Sequence, residues 1–250
     1  MGCEVPVVVF GGCGAGPAAA GGGDLGGGMW LSEGLVVVRV AMVLYEGLTL
    51  LDAVGPYEMW SALPGVEVVF VGSERGPVRD GGGRGALVAD AVFDEVERPD
   101  VVCVPGGWGQ SRHMDGGALV EWLKVVDQTS TWTTSVCAGW LVWAGAGLWR
   151  GRRATSHWLA MGELERWGVR PVSERVVSDG KYVTAAGVSA GIDMGLTMVE
   201  RWMGEQAAQM VQLATEYDPR PPFDAGSPRT APAEVVAWAR SRSRFVLEGE

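Results

Sequence analysis

Apolar and polar residues follow two different periods along this chain, and the two periods alternate. Continuous apolar runs at 35–45, 66–73 and 101–104 predict buried strands. Segments in which apolar residues recur every three or four positions, such as 117–128 and 189–204, predict helices. Because strands separated by helices form βαβ units, we expect a mostly parallel sheet between two layers of helices. The predicted class is a three-layer α/β/α sandwich of the flavodoxin-like kind.

Shorter elements complete this prediction. Glycine-containing turns inside β-prone runs indicate hairpins at 77–90 and at 176–185, the second around an Asp-Gly pair. A short helix is expected from Gly55, with Pro56 in its first turn. The remaining predicted elements are a strand at 131–136, a helix at 138–149, a small strand at 152–157, and helices at 159–168 and 205–217.

The first 32 residues differ from the rest of the chain. They contain GGCGAGPAAAGGGDLGGG, in which the glycines lose much chain entropy on ordering and have little apolar surface to bury. We expect 1–32 to be a disordered extension, with Met29 an alternative start, and 33–250 to form a single domain.

The composition excludes several classes of function. A net charge of -10 and a pI near 4.8 argue against a nucleic-acid surface, which needs clustered Lys and Arg. The one basic run, SRSRF at 241–245, is interpreted as a solvated helix end. No apolar stretch reaches the roughly 18 residues of a membrane helix, and the apolar N-terminal run lacks the features of a signal peptide. The four cysteines have neither metal-ligand nor disulfide-framework spacing, so a cytoplasmic protein without a metal is expected.

Candidate chemistry is concentrated where the strand TWTTSV meets the helix AGWLVW. Cys137 sits on that turn between small residues, as nucleophiles do in hydrolases. A helix N-terminus favours an anion, so we expect the pKa of this thiol to be lowered. The N–H of Ala138, with donors from Gly106 and Gly107 in the VPGG loop, would face an anion formed on a substrate. The alternative is that Cys137 is a small buried hydrophobic residue, as Cys103 is expected to be.

Several motifs taken together resemble the ThiJ/PfpI superfamily, which has the class I glutamine amidotransferase-like fold. They are VVCVPGG, TSVCAG, ATSHW and SAGIDMGLTM, in that order along the chain. Within the superfamily the pattern is most similar to the isonitrile hydratase (cyclohexyl-isocyanide hydratase) type, through LDAVGPYE, GLWRGRRATSHW, VVSDG, VSAGID and PPFDAGSPRTAP. The resemblance runs from about Val36 to Pro232. It implies a cofactor-independent lyase that hydrates an isonitrile to an N-substituted formamide, and it implies a homodimer.

The resemblance also implies two catalytic residues, Cys137 and Asp52. From the residues alone, Asp52 is more readily a helix cap ahead of Gly55 and Pro56. The implied mechanism is attack of Cys137 on the isonitrile carbon while Asp52 supplies a proton. The carboxylate of Asp52 then activates water, and collapse of the adduct releases the thiol.

Further residues are assigned around this pair. His157 follows Cys137 by twenty positions and is predicted to be a structural hydrogen-bonding residue, although a dyad with the thiol is the alternative. Ala138 stands where the hydratase type has Thr and protease-like relatives have His. Trp108 and Trp140 are placed at the pocket, which favours a small apolar organic substrate of restricted size. His113, Glu46 and Glu58 are expected at the surface.

Three other functions stay open from the sequence. A glyoxalase or deglycase-like enzyme would use the same thiol, with His157, on small dicarbonyls. A non-catalytic redox sensor or chaperone-like protein would instead have its Cys137 oxidised to a sulfinate. A DNA-binding regulator is disfavoured, because only about eighteen residues follow Pro232 and a helix-turn-helix module needs more.

Overall fold

The computed structural model describes residues 38–61 and 63–243. Strand β1 (Val38–Val43), which lies in the first apolar run, is a central strand of a seven-stranded sheet. The other strands are β2 (Val66–Gly72), β3 (Gly76–Arg79), β4 (Ala86–Ala89), β5 (Ala91–Val92), β6 (Val101–Val104), β7 (Trp132–Val136), β8 (Arg153–Ala154), β9 (Arg170–Pro171), β10 (Val176–Asp179) and β11 (Tyr182–Ala185). The helices are α1 (Leu50–Ser61), α2 (Ala118–Val126), α3 (Trp140–Gly145), α4 (Met161–Arg166), α5 (Ala190–Met203), α6 (Glu205–Ala214) and α7 (Ala233–Ser241). Three short 3-10 helices cover Phe93–Glu95, Trp108–His113 and Trp158–Ala160.

The main sheet has the strand order β10-β11-β7-β6-β1-β2-β5. Every neighbouring pair in it is parallel except β10 with β11, which form the hairpin that the Asp-Gly pair predicted. Strands β1 and β6 are buried almost throughout, since helices cover both faces of the sheet. The predicted α/β sandwich with a mostly parallel sheet is therefore confirmed.

Helices α1 and α5 cross with very close backbones. A Cβ added at Gly195 would lie 2.7 Å from Met59 Cγ, and one at Gly191 would lie 3.1 Å from Pro56 Cδ. Trp60 adds a hydrogen bond across the same crossing, from its Nε1 to the Gly195 carbonyl oxygen at 3.0 Å. Helix α5 packs in turn against α6, whereas α2 packs against α3.

The predicted elements match the structure in kind, and their bounds differ in informative places. Helix α1 begins at Leu50, so Pro56 lies inside the helix and not in its first turn. The expected helix at 138–149 shortens to α3, and the expected strand at 152–157 shortens to the two residues of β8. Helix α7 was not predicted as an element; it ends at Ser241, within the basic run interpreted as a helix end.

Two predictions fall wholly or partly outside the described residues. The extension at 1–32, with Cys3 and Cys13, lies outside them, as do the last two residues of the basic run, Arg244 and Phe245. Within residues 38–61 and 63–243, no helix is long and apolar enough to cross a membrane.

Candidate active site

The candidate site lies where four adjacent parallel strands end. Strands β11, β7, β6 and β1 are neighbours in the sheet, and their carboxyl ends meet at one edge. In open parallel sheets this edge is where ligands bind. The segments that follow these strands supply Val188, Cys137, Gly106 and Asp52, respectively.

Cys137 occupies a strained turn directly after β7. Its φ of 59° lies in the left-handed region, which is uncommon for a residue with a side chain. Its backbone N–H donates to the carbonyl oxygens of Ala185 and Ala186, at 3.1 and 2.9 Å. Gly139 completes the turn, because a Cβ there would lie 2.1 Å from the Val104 carbonyl oxygen. The predicted strand-to-helix elbow is thus present, with the thiol 2% exposed.

Asp52 is the third residue of α1 and is fully buried. Its Oδ2 accepts a hydrogen bond from the Gly106 N–H at 2.9 Å. Its Oδ1 is buried without a hydrogen-bond partner in the described part of the chain. The interpretation of Asp52 as a helix cap is therefore wrong, because the carboxyl points to the loop after β6.

Gly106 separates the thiol from the carboxyl. A Cβ at this position would lie 2.6 Å from Ala138 N and 3.0 Å from both Asp52 Oδ2 and Cys137 Cβ. Its carbonyl oxygen accepts from the Thr49 N–H at 2.8 Å, which ties the start of α1 to this loop. Only glycine leaves room for the acid and the thiol to approach each other here.

Burial controls the electrostatics of the pair. It raises the pKa of Asp52 from 3.8 to about 7, against hydrogen bonds from Gly106 and the Cys137 thiol that lower this pKa. Burial and, next, the charge of Asp52 also raise the pKa of Cys137 well above its usual value. The expectation of a lowered thiol pKa is wrong, because α3 is short and desolvation of the thiol outweighs the nearby N–H groups.

Two backbone N–H groups donate to the Cys137 side chain, those of Ala138 and Val188, and both lower its pKa. Ala138 was predicted as a donor. Val188 was not, because it follows β11, about fifty residues further along the chain. Its φ of 24° is unusual for a β-branched residue, so the surrounding contacts must hold this backbone in place.

The loop after β6 is held by further contacts that the sequence did not reveal. The Tyr45 hydroxyl donates to the Pro105 carbonyl oxygen at 2.7 Å. With the nitrogen of its amide facing them, Gln110 donates to the carbonyl oxygens of Gly107 and Ala138, at 3.1 Å each. Gly107 itself has a φ of 144°, and a Cβ there would lie 2.5 Å from the Gly47 carbonyl oxygen. Its role as an anion donor stays a prediction.

Trp140, one of the two tryptophans expected at the pocket, lies in the core instead. Trp140 is fully buried beneath the elbow, and its Nε1 donates to Ser156 Oγ at 2.8 Å. Ser156 Oγ donates in turn to the Cys137 carbonyl oxygen at 3.0 Å. Trp108 is 46% exposed, with its Cδ1 3.1 Å from where a Cβ on Gly81 would stand. The argument for an apolar substrate therefore loses the support of Trp140, and the place of Trp108 at the pocket mouth stays a prediction.

The histidines have distinct structural positions. His157 Nδ1 accepts from the Leu159 N–H at 3.2 Å and so caps the 3-10 helix that follows it. Burial lowers the pKa of His157, which favours the neutral ring. His113 is half-buried, with its ring centroid 5.2 Å from that of Tyr45, because the Trp108–His113 helix folds inward; the surface assignment is wrong. Glu46 and Glu58 are exposed, as expected.

The described residues contain one other cysteine, Cys103, besides Cys137. Cys103 is a free, buried thiol in β6, and burial raises its pKa to about 12, so it has the structural character expected of it. Among residues 38–61 and 63–243, no group of three or more His, Cys, Asp or Glu side chains could hold a metal ion.

Comparison with known proteins agrees with this geometry. The model of the DJ-1/PfpI family matches residues 38–201. The isonitrile hydratase of Pseudomonas putida is 39% identical over 208 residues, which cover 83% of this chain and 91% of that protein. A glutathione-independent glyoxalase of Caenorhabditis elegans is 25% identical over 57% of this chain and 76% of its own.

A solved structure extends the similarity to the whole fold. A ThiJ/PfpI family protein from Pseudomonas syringae matches with a TM-score of 0.79 and 36% identity, covering 85% of this chain and 86% of its own. The family model spans the segments that carry Asp52, Gly106, Cys137 and Val188. On its sequence and its fold, this chain belongs to the DJ-1/PfpI family.

Proposed function

We propose that this protein is a cysteine-dependent lyase that hydrates an isonitrile to an N-substituted formamide. The observation that carries the proposal is the pairing of Cys137 with a buried carboxyl that has one oxygen fixed and the other unpartnered among the described residues. Such a carboxyl can move a proton to and from a substrate beside the thiol. The 39% sequence identity to an isonitrile hydratase, along most of both chains, supports the choice of substrate.

The first step joins the sulfur to the substrate. Above about pH 7 the pair holds one proton, on the Cys137 thiol beside the Asp52 carboxylate, because the pKa of Asp52 is about 7 and that of Cys137 is raised well above its usual value. As Sγ bonds to the terminal isonitrile carbon, the thiol proton passes through Asp52 to that same carbon. The product is a thioimidate, in which the carbon carries the sulfur, one hydrogen and a double bond to nitrogen. Asp52 is again a carboxylate.

The second step uses water. Asp52 takes a proton from a water molecule whose oxygen adds to the thioimidate carbon, and the nitrogen becomes protonated. The proton that nitrogen gains is the one Asp52 took from the water. As the C–S bond of the adduct breaks, its hydroxyl proton passes through Asp52 to the sulfur, and the N-substituted formamide leaves. One water is consumed and no electrons are transferred, so these protein groups suffice for the overall reaction.

The backbone N–H groups that face the sulfur fit this scheme. Ala138 and Val188 donate to the Cys137 side chain and so stabilise negative charge there as the thiol loses its proton. These donors belong to the backbone, so the methyl side chain of Ala138 does not remove them.

The alternative functions have less support from the same contacts. A dicarbonyl enzyme needs His157 as a base, and its Nδ1 is already occupied by the Leu159 N–H. A redox sensor needs a readily formed thiolate, whereas burial raises the pKa of Cys137. A homodimer and a cytoplasmic location stay predictions.

The test is incubation of the purified protein with cyclohexyl isocyanide and detection of N-cyclohexylformamide by mass spectrometry. Cys137→Ala is expected to lose at least about 1000-fold in kcat, since the covalent step disappears. Cys103→Ala is the matched control, because it removes the other buried thiol and should retain turnover. Full activity of Cys137→Ala would refute the proposal.

A further inference from the structure

A cleft of about 690 Å³ lies next to the turn that carries Cys137. Ser156, His157 and Val188 line it. The first two donate to the Cys137 carbonyl oxygen, and the Val188 N–H donates to the Cys137 side chain. The size is within the usual range for small-molecule sites. The part of a substrate remote from the reacting carbon can therefore lie in this cleft.

The lining of the cleft is mixed, with apolar surface from Trp158, Met161 and Pro228 beside several polar side chains. Hydroxyl side chains come from Ser173, Ser189 and Ser227, and guanidinium groups come from Arg175 and Arg229. Glu174 is the one acidic residue among those that line it. In a chain with a net charge of -10, a cleft with more cations than anions stands out. An apolar substrate would cover these groups without pairing them, at a cost in free energy.

The two arginines differ in what they are free to bind. Arg175 is engaged, with its Nε 2.6 Å from Asp193 Oδ2 and its Nη2 donating to Ser189 Oγ at 3.2 Å. Arg229 is exposed, and no Asp or Glu of the described residues lies within salt-bridge distance of it. The segment of Arg229 is turned locally, since its N–H donates to Ser227 Oγ at 3.2 Å. Arg229 is therefore the cation available to an incoming anion.

We infer that the substrate is an isonitrile bearing a carboxylate, with the isonitrile carbon at Cys137 and the carboxylate on Arg229. A guanidinium binds a carboxylate through two parallel hydrogen bonds, which fixes orientation as well as charge. The hydroxyls beside Arg229 can donate to the same group. This inference rests on the proposed function and replaces the sequence-based expectation of an apolar substrate with an anionic one.

The test is kinetic and uses matched substrates. A series of straight-chain isocyano-carboxylates, differing in the number of methylenes, is compared with the corresponding methyl esters. At the best chain length, we expect kcat/KM for the acid to exceed that for the ester by about tenfold or more, as for a charge-assisted hydrogen bond. The advantage should shrink at high ionic strength, because Arg229 is exposed.

Variants then locate the source of the advantage. Arg229→Gln should lower kcat/KM for the acid by about tenfold and remove most of its advantage over the ester. Arg84→Gln is the control, since it removes an exposed guanidinium in the β3-β4 turn, away from the cleft. Equal rates for acid and ester, or an unchanged acid preference in Arg229→Gln, would overturn the inference and leave the proposed function standing. No hydration of any isonitrile, cyclohexyl isocyanide included, would overturn both.

Discussion

Cys137 has two flanks that differ in almost every physical property. The closed flank, formed by Asp52, Gly106, Tyr45 and Gln110, is buried and tied together by hydrogen bonds between segments distant in sequence. The open flank is the cleft-facing wall around His157 and Val188, which leads to an exposed segment with Arg229.

This difference separates two tasks. The closed flank excludes water, so it can keep the pKa of a carboxyl near 7 and hold it against the thiol. The open flank contacts the cleft with loops, which tolerate substitution better than a packed interior does. We therefore expect changes on the closed flank to alter the chemistry, and changes on the open flank to alter which substrate is used.

The largest effect is expected from Asp52→Asn on the closed flank. The amide keeps the volume but cannot carry the proton, so kcat/KM should fall by about 100- to 10,000-fold. The pH profile provides the decisive readout. Because the pKa of Asp52 is about 7, below that pH the wild-type pair holds two protons and Asp52 cannot act as a base. We therefore expect kcat/KM to drop about 100-fold from pH 9 to pH 5. The residual activity of the variant should lack this acid limb, and a limb that persisted would assign it to another group.

Asp52→Asn should lower activity but raise the free energy of unfolding above neutral pH. The folded-state pKa of Asp52 is raised from 3.8 to about 7, so between these values the folded state binds more protons than the unfolded state. Stability therefore falls as pH rises through this window, by up to about 4 kcal/mol from this group. Asp52→Asn should thus be more stable than wild type at pH 8 and similar to it near pH 4, as measured by urea unfolding.

An intermediate effect is expected from Ser156→Ala, where the two flanks meet. The substitution leaves the buried Trp140 N–H without its partner, and it leaves the Cys137 carbonyl oxygen only the longer bond from the His157 N–H, at 3.4 Å. Unfolding free energy should fall by about 2 kcal/mol, with a loss of a few-fold in kcat as the elbow loosens. Ser73→Ala, at an exposed serine, is the control and should do neither. If Ser156→Ala matched that control, the elbow would not depend on this contact.

The smallest effect on chemistry is expected from His157→Gln on the open flank. The ring is neutral and its Nδ1 serves the backbone, so kcat should change by less than about threefold. A dicarbonyl enzyme that used His157 as its base would lose at least about 100-fold instead. Assaying both an isonitrile and a small dicarbonyl with this variant decides between the two chemistries.

The sequence was sufficient for the features that depend on local pattern. Parallel strands have their carboxyl ends at one edge, so the predicted ends of β6 and β7 are enough to indicate that Gly106 lies near Cys137. The position of Asp52 was not predicted in this way, because the residues around it favoured a helix N-cap. Two hydrogen bonds to Gly106, across more than fifty positions, tie the start of α1 to the loop after β6: its carbonyl oxygen accepts from the Thr49 N–H, and its N–H donates to the Asp52 carboxyl.

The errors have a shared cause, which is burial. The thiol pKa was predicted from a helix terminus, but desolvation is set by how segments pack in three dimensions. Trp140 was placed at the pocket because it follows the nucleophile, and the helix turns it into the core. Val188 and Tyr45 went unnoticed because an apolar and an aromatic residue in such runs have no distinguishing local pattern.

The glycine crossing of α1 and α5 has a consequence for how the candidate site can change in evolution. Helix α1 carries Asp52, and α5 begins two residues after Val188, so the spacing of these helices sets the gap between the base and the loop that faces the sulfur. The two helices can lie this close only because Gly191 and Gly195 have no side chain. A methyl group at Gly191 would be too close to Pro56, and one at Gly195 would be too close to Met59. A single mutation at Gly191 or Gly195 can therefore change the distance between Asp52 and the loop at the sulfur. Variant libraries built only around the cleft would miss these positions.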